Sequence, residues 1–220
     1  MKRIPEPELM DEAEQAYAYA HADFEEPHNH FIDLLKSACG HDLPATGRAL
    51  DLGCGAADIS IRFARSFPGY IVDAVDGAEA MLNEAEKILL GMEDLFQERI
   101  HLVQGHLQDF SITDHYEIIF SNSLLHHLHD PVVLWNVLKK ASFNTQIFIM
   151  DLMRPDSETA VDELVQLYAA GEPEILQRDF RNSLFAAFTP GEVELQLQEA
   201  GLKQLAVEVV SDRHLVVLNK

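Results

Sequence analysis

Short apolar runs alternate with stretches of helical spacing through the middle of the chain. Strands are predicted where β-branched and aromatic residues cluster beside turn-forming residues: Arg48–Leu52, Tyr70–Val75, Ile100–Gln104, Tyr116–Ser121 and Gln146–Asp151. Apolar residues three and four positions apart predict the helices between them: Asp58–Arg65, Ala78–Leu90 and Pro131–Ala141. Because strands and helices alternate and the strands are mostly apolar, we expect parallel strands covered on both faces, so the predicted fold class is α/β.

The segments on either side of this alternation have a different pattern. Residues 1–45 contain a predicted helix over Glu8–Tyr19, an aromatic and histidine-rich stretch, and a second predicted helix near His30–Cys39. This N-terminal helical segment is a candidate lid over a ligand. After strand 5, residues 152–188 form a helical, acid-rich insertion without a clear strand, which is longer than an ordinary connection and is a candidate substrate wall.

The last part of the chain predicts one helix and one hairpin. Thr189 and Glu192 match a capping box with a proline at the first helical position, and the amphipathic helix that they open ends at Gly201. Two further strands are predicted over Lys203–Val210 and Arg213–Leu218, joined by a hairpin turn. An antiparallel pair is therefore expected to close the parallel sheet.

The charge of the chain narrows the class of ligand. Its 220 residues include 16 Lys and Arg against 37 Asp and Glu, a formal net charge of −21, and the basic residues are scattered singly or in pairs. Because such a field repels DNA and RNA, nucleic acid is disfavoured as a partner, and a neutral or cationic small molecule is favoured.

The cysteines and the apolar runs predict the compartment. Cys39 and Cys54 belong to no CxxC or metal-ligand pattern, which favours reduced thiols and a cytoplasmic protein. The N-terminus turns acidic where a secretion signal would turn apolar, and no apolar run approaches the length of a membrane span. We therefore expect a soluble protein without a membrane partner, with a homodimer as one option for its oligomeric state.

The stretch GRALDLGCGAADISIRF, residues 47–63, places a glycine-rich turn between the first strand and the following helix. Gly53 and Gly55 either make a plain tight turn or let the backbone approach a ligand at a helix N-terminus. The second strand ends at Asp76, where a carboxylate can accept both hydroxyls of a ribose. Asp58 stands where a dinucleotide site needs a third glycine, and Asp51 would repel phosphates, so a ligand with a ribose and a positive charge fits better.

Four motifs in order resemble class I S-adenosylmethionine-dependent methyltransferases. ALDLGCGAADI resembles the first motif of that family, YIVDAVDGAEAML the second and HLVQGHLQDF the third. IIFSNSLLHHLHDP resembles the segment after strand 4 in the small-molecule branch that includes ubiquinone- and menaquinone-type enzymes, and FTPGEVELQLQEAGL is similar to the last helix of the family. The resemblance implies a Rossmann-like, doubly wound, seven-stranded sheet of order 3-2-1-4-5-7-6 with an antiparallel last hairpin strand. It also implies S-adenosyl-L-methionine as cofactor and S-adenosyl-L-homocysteine as product.

The resemblance further implies roles for individual residues. Asp51 and the turn around Cys54 would face the methionine end of the cofactor, with Cys54 contributing backbone; Asp76 would bind the ribose and Met81 would pack on the adenine. The complete implied cofactor set is Asp51, Gly53, Cys54, Gly55, Asp76, Gly77, Met81, His106, Leu107 and Asn122. His106 departs from the family pattern, because an acid usually stands there. The adenine amino group then needs Asp109 or a backbone carbonyl as acceptor, or His106 stacks on the ring.

Methyl transfer is an in-line displacement at a sulfonium, so the site has to align the nucleophile and keep water away. The residues after strand 4 are expected to line the cleft, and among them His126 and His127 are the candidate catalytic bases. Their alternative role is to pack the turn. As neighbours in a helical turn they are expected to point about 100° apart, so that one of them faces the substrate. The chain lacks HExxH, CxxC and the paired carboxylates of magnesium-dependent relatives, so no metal site is predicted.

Candidate substrate-binding residues lie in the lid and in the insertion. Tyr19 in the lid can reach the cofactor or its substrate, and the insertion offers Arg154, Arg181 and Asn182 for a substrate carboxylate. The ordinary alternatives are aromatic packing for the tyrosine and exposed salt bridges for the arginines.

The predicted protein is a single methyltransferase domain that spans residues 1–220. Its parts are the N-terminal lid (1–45), the cofactor-binding core (46–151), the helical insertion (152–188), and the final helix and hairpin (189–220). The predicted activity is methyl transfer from S-adenosylmethionine to a small-molecule acceptor. The alternatives are an NAD(P)-dependent oxidoreductase on a related sheet and a non-catalytic protein that binds S-adenosylmethionine.

Overall fold

Seven strands form one sheet in the computed structural model, which describes residues 1–220. In chain order they are β1 (Gly47–Leu52), β2 (Tyr70–Asp76), β3 (Ile100–Gln104), β4 (Ile118–Asn122), β5 (Gln146–Leu152), β6 (Leu205–Val209) and β7 (His214–Asn219). Their order in the sheet is β3-β2-β1-β4-β5-β7-β6, and β7 is antiparallel to both neighbours while every other pair is parallel. The predicted fold class, strand order and antiparallel hairpin strand are confirmed.

The helices flank this sheet, and none of them combines the length and the apolarity needed to cross a membrane. They are α1 (Ala13–Ala20), α2 (Glu25–Cys39), α3 (Asp58–Ser66), α4 (Glu79–Leu90), α5 (Asp94–Arg99), α6 (Val132–Leu138), α7 (Glu158–Tyr168), α8 (Glu174–Ala186) and α9 (Pro190–Ala200). Helix α2 begins earlier than the predicted start near His30, because Asp23 accepts a hydrogen bond from the Glu25 amide at 3.0 Å and opens the first turn. Helix α5 was not predicted, since its six residues are too few to show a helical period.

The predicted capping box at the start of α9 is confirmed. The Thr189 hydroxyl accepts a hydrogen bond from the Glu192 amide at 3.3 Å, and the Glu192 carboxylate accepts one from the Thr189 amide at 2.8 Å. At the other end, Gly201 has a φ of 77°, the left-handed conformation that ends many helices. These caps fix α9 against the last two strands.

A buried apolar layer covers each face of the sheet. One layer contains Phe31 of α2, and the other contains Trp135 of α6 and neighbours from α9. Successive residues of β1 alternate between the two layers, with Ala49 in the first and Leu50 in the second. With both faces covered, the place left for a ligand is the edge at the carboxyl ends of the parallel strands.

Residues 3–11, the N-terminal strap, lie across this edge. The Arg3 guanidinium donates hydrogen bonds to the carbonyls of His126 and Leu128, both at 2.9 Å. The Asp11 carboxylate accepts a hydrogen bond from the Ala80 amide at 3.1 Å, at the start of α4. Helix α1 then packs against α4 and α8. The strap and α1 occupy the region of the predicted lid, and their role as a lid over a ligand stays a prediction.

Candidate active site

The turn after β1 is bent in a way that only small residues allow. Gly53 and Gly55 have φ values of 73° and 54°, and Ala57, the N-cap of α3, has a φ of 65°. A Cβ on Gly53 would lie 2.7 Å from the Leu124 side chain, and one on Gly55 would lie 3.0 Å from Met81. Leu124 and Met81 therefore pack directly on the two glycines, and the positive φ values and the close packing both require glycine at these positions.

Cys54, at the centre of this turn, uses its backbone inside the turn. Its amide donates to the Val75 carbonyl at 3.0 Å, and its carbonyl accepts from the Ala57 amide at 2.9 Å. Its side chain is buried, and burial raises the pKa of the thiol well above its usual value. Cys54 thus shapes the turn, and its direct contact with a cofactor stays a prediction.

Asp51 is a buried carboxylate without a cationic partner. It is 1% exposed, and the Ser60 hydroxyl donates a hydrogen bond to it at 2.6 Å. Burial, reinforced by the nearby charge of Asp76, raises the pKa of Asp51 to about 7. A bound cation at this position would supply the compensating charge.

Asp76 lies at the predicted position, at the carboxyl end of β2. One carboxylate oxygen accepts a hydrogen bond from the Gly55 amide and the other from the Ala78 amide, both at 2.8 Å. Burial raises the pKa of Asp76 even though these amides stabilise its charge. Each oxygen keeps a second lone pair, so the carboxylate can still accept hydroxyl groups of a ligand.

The predicted adenine-side residues are only partly brought together. A Cβ on Gly77 would lie 3.1 Å from the ring of His106, so His106 stands beside Asp76, although its side chain is exposed. Met81 is buried next to the glycine turn. Leu107, in contrast, packs against the core layer under α6.

Tyr19 lies near the end of β2 and the start of α4. It packs in a small cluster with Met81 and Ala78, and its ring centroid is 4.8 Å from that of Phe24. Burial, together with the charges of nearby acids, raises the pKa of Tyr19 to about 12. Tyr19 was expected to reach the cofactor or its substrate; it lies beside Met81, which is predicted for the adenine, and its role stays a prediction.

The turn after β4 is held by an acid at the end of β5. Asp151 is 1% exposed, and its two oxygens accept hydrogen bonds from the Leu125 amide and from Nδ1 of His126, both at 2.6 Å. Ser123 enters the turn with a φ of 56°, and Asn122 is half-buried just before it. Although burial alone would lower it, the Asp151 carboxylate raises the pKa of the buried His126.

The two histidines do not diverge as expected. Their rings lie side by side, with centroids 4.3 Å apart and planes 34° apart, and both face the Glu6 carboxylate of the strap. The expected divergence of about 100° is not found, because one nitrogen of each ring lies 3.5 Å from the same Glu6 carboxylate oxygen. Burial and the neighbouring His126 lower the pKa of His127 to about 3.

Glu6 and Asp151 belong to this side of the site and were missed in the sequence. The Ser183 hydroxyl of α8 donates a hydrogen bond to Glu6 at 2.9 Å, and burial raises the pKa of Glu6. Asp151 could have been predicted as a site residue, because it stands at the end of a predicted strand as Asp76 does. Glu6 carries none, because it precedes every periodic segment.

The three substrate candidates of the insertion separate in the structure. Arg154 is buried and donates to the Ala187 carbonyl at 2.9 Å and to Glu192 at 2.7 Å, so it is part of the scaffold and not of a substrate surface. Arg181 and Asn182 line a cleft of about 370 Å³ between the strap and α7 and α8. Glu6 borders the same cleft.

Comparison with known proteins agrees with this geometry. Residues 49–142 match the model of a family described as a methyltransferase domain. The match covers less than half of the chain, and it indicates a methyltransferase domain over these residues. The matched region contains the glycine turn, Asp76 and both histidines.

A curated relative and two solved structures extend the comparison. An uncharacterized methyltransferase of Schizosaccharomyces pombe is 31% identical over 101 residues, which cover 44% of this chain and 36% of the relative, so the chain spans little more than a third of that protein. A methyltransferase of Aquifex aeolicus described as SAM dependent has a TM-score of 0.64 at 18% identity, covering 94% of this chain and 97% of that one. The plantazolicin methyltransferase BpumL, solved with a monoazolic desmethylPZN analog and SAH, has a TM-score of 0.69 at 14% identity, covering 94% of this chain and 90% of that one. At these identities the structural likeness concerns the fold.

The residues at this edge of the sheet fit S-adenosylmethionine as a ligand. Asp51 lacks a cation, which the amino group of a methionine moiety supplies, and Asp76 has lone pairs for ribose hydroxyls. The glycine turn has no side chains of its own at Gly53 and Gly55, so its backbone can be approached closely by a ligand. The Asp51 carboxylate at the glycine turn would repel a pyrophosphate, which disfavours the oxidoreductase alternative.

Proposed function

We propose that this protein transfers the methyl group of S-adenosylmethionine to a small-molecule acceptor, as the ubiquinone- and menaquinone-type branch of methyltransferases does. The observation that carries the proposal is the buried carboxylate of Asp51, which has no cationic partner and lies at the glycine turn of a methyltransferase domain. The resemblance of the segment after β4 supports the choice of branch.

Three residues of the chain are proposed to hold the cofactor. Asp51 binds the amino group, Asp76 accepts the ribose hydroxyls, and Met81 packs on the adenine. The cofactor supplies an activated methyl group on a sulfonium. The chain contributes alignment of the acceptor and exclusion of water, which are the main requirements of an in-line displacement.

The acceptor is proposed to enter through the cleft of about 370 Å³ beside the strap. Glu6 and Glu158 line this cleft, while the cation Arg181 is paired with Asp162 at 3.0 Å. A cleft with two carboxylates and a neutralised arginine favours a neutral or cationic acceptor over an anionic one. The strap and α8 cover the acceptor from water.

A base in this mechanism is needed only for an acceptor that carries a proton. His126 has its Nδ1 committed to Asp151, and both histidines face Glu6. Their catalytic role therefore stays a prediction. Replacing each by alanine and measuring turnover at saturating cofactor tests it, since unchanged rates for both would remove them from the chemistry.

Calorimetric titration with S-adenosylhomocysteine and with NADH tests the proposal. We expect binding of S-adenosylhomocysteine alone, and a strong loss of affinity on Asp51→Asn. Incubation with labelled S-adenosylmethionine and a metabolite extract then tests turnover. Binding without transfer to any acceptor would favour the non-catalytic alternative, and no binding would end the proposal.

A further inference from the structure

We infer that Glu6, His126 and His127 form a binding site for a first-row divalent transition metal ion, best matched by Zn²⁺. The site joins the strap to the turn after β4. It lies outside the cofactor residues of the glycine turn, and it does not depend on the proposed function.

The distances between the three side chains fit a shared metal ion. Glu6 Oε1 lies 3.5 Å from Nε2 of His126 and 3.5 Å from Nδ1 of His127, and all three ligand atoms lie within 4.8 Å of one another. Ligands at about 2.1 Å from a tetrahedral zinc ion are about 3.4 Å apart. A direct charged hydrogen bond would be shorter, at about 2.8 Å, so the spacing suits an ion between the atoms better than direct contact.

The surroundings of the ligand atoms orient them as in known metal sites. The Asp151 carboxylate accepts the Nδ1 proton of His126, which leaves the lone pair of Nε2 directed at Glu6. Metal-bound histidines usually donate their second nitrogen to a carboxylate in this way. The Ser183 hydroxyl donates to Glu6 Oε1 at 2.9 Å and fixes that carboxylate. The ligands therefore have the supporting hydrogen bonds of a built site.

The ligand set selects the class of metal. Two imidazole nitrogens and one carboxylate oxygen suit zinc and its first-row neighbours, whereas magnesium and calcium prefer oxygen ligands alone. Nδ1 of His127 makes a long contact of 3.4 Å with the Pro7 carbonyl; a bound ion would replace the Nδ1 proton, and this oxygen can then complete the coordination. Glu6 borders the open cleft, which gives an ion a path to the site.

Zinc titration of metal-free protein without a histidine tag tests the inference. We expect a plateau at about one Zn²⁺ per chain by calorimetry and by metal analysis after gel filtration, and no binding of Mg²⁺. The same site filled with Co²⁺ should give the visible absorption of nitrogen and oxygen coordination. Absence of a stoichiometric plateau would overturn the inference.

Variants separate this site from the other histidines. Glu6→Gln and His127→Ala should each weaken Zn²⁺ binding by at least about tenfold. His129→Ala is the matched control, because His129 also contacts the strap, through the Glu6 carbonyl at 2.7 Å, but is not one of the three ligands. Equal zinc affinity of His127→Ala and the wild type would refute the site.

Two further measurements distinguish loss of the metal site from loss of the fold. Circular dichroism and binding of S-adenosylhomocysteine should be unchanged in both ligand variants, because the cofactor residues lie elsewhere. If His127→Ala fails to fold, His127→Gln serves in its place with the same expected loss. Failure of zinc binding with normal S-adenosylhomocysteine binding would count against the metal site alone.

Discussion

Asp51 and Asp151 occupy equivalent places on two sides of the active-site edge, and their surroundings differ. Both are 1% exposed and lie near the carboxyl ends of β1 and β5. Asp151 has the Leu125 amide and the His126 ring as partners, whereas Asp51 has one serine hydroxyl. The comparison teaches that a buried acid with two hydrogen-bond donors supports the fold, while a buried acid without a cation is the place where we propose that a cationic ligand binds.

The largest effect on stability is expected for Asp151→Asn. The asparagine cannot accept from both the Leu125 amide and the His126 ring, so a buried donor loses its partner and the free energy of unfolding should fall by about 3 kcal/mol. Urea unfolding in the presence of a chelator measures it. A loss below about 1 kcal/mol would show that the partners of Asp151 contribute little and would weaken the comparison.

Asp51→Asn should have the opposite effect to Asp151→Asn: cofactor binding should be lost while the stability of the fold is kept. Removal of the carboxylate should weaken S-adenosylhomocysteine binding about 30-fold, equivalent to about 2 kcal/mol for a lost charged hydrogen bond. Asp58→Asn is the control, because the Asp58 carboxylate at the same turn is already paired with Arg62 at 2.7 Å. Equal losses in the two variants would mean that general charge, and not Asp51, binds the cofactor.

The pH dependence of stability tests whether Asp51 is a buried acid without a compensating cation. In the unfolded chain Asp51 loses its proton near pH 4, whereas in the fold it keeps the proton until about pH 7. The folded state then binds more protons between these values, so the contribution of Asp51 to the free energy of unfolding falls as pH rises from about 4 to 7. The difference in the free energy of unfolding between the wild type and Asp51→Asn, measured by urea unfolding across this range, should show that decline. A flat difference would contradict the raised pKa.

The smallest effect is expected at the surface of the insertion. Arg181→Ala removes an exposed ion pair with Asp162 and should change the free energy of unfolding by less than about 0.5 kcal/mol. Arg154→Ala breaks buried contacts to Glu192 and the Ala187 carbonyl and should cost about 2 kcal/mol. Thermal unfolding of the two variants side by side checks this. Similar losses of stability would contradict the assignment of Arg154 to the scaffold and of Arg181 to the cleft.

The cofactor side could be predicted because its residues are close in sequence and stand at strand ends. The turn from Gly53 to Gly55 and Asp76 follow two predicted strands, and parallel strands bring such residues to one edge. The acceptor side combines Glu6 with His126 and His127, which a sequence period cannot connect. Arg154 and Arg181 are equally polar in the sequence, and only the fold distinguishes the buried Arg154 from the half-buried Arg181.

The strap has a consequence for the order in which the protein assembles. Arg3 donates to the carbonyl of Ala186, a residue 183 positions later, and to that of Leu128. Closing such a long loop costs conformational entropy before the contact stabilises the chain. During synthesis the strap must wait until α8 has left the ribosome, so the contact between Arg3 and Ala186 cannot form before most of the chain has been made.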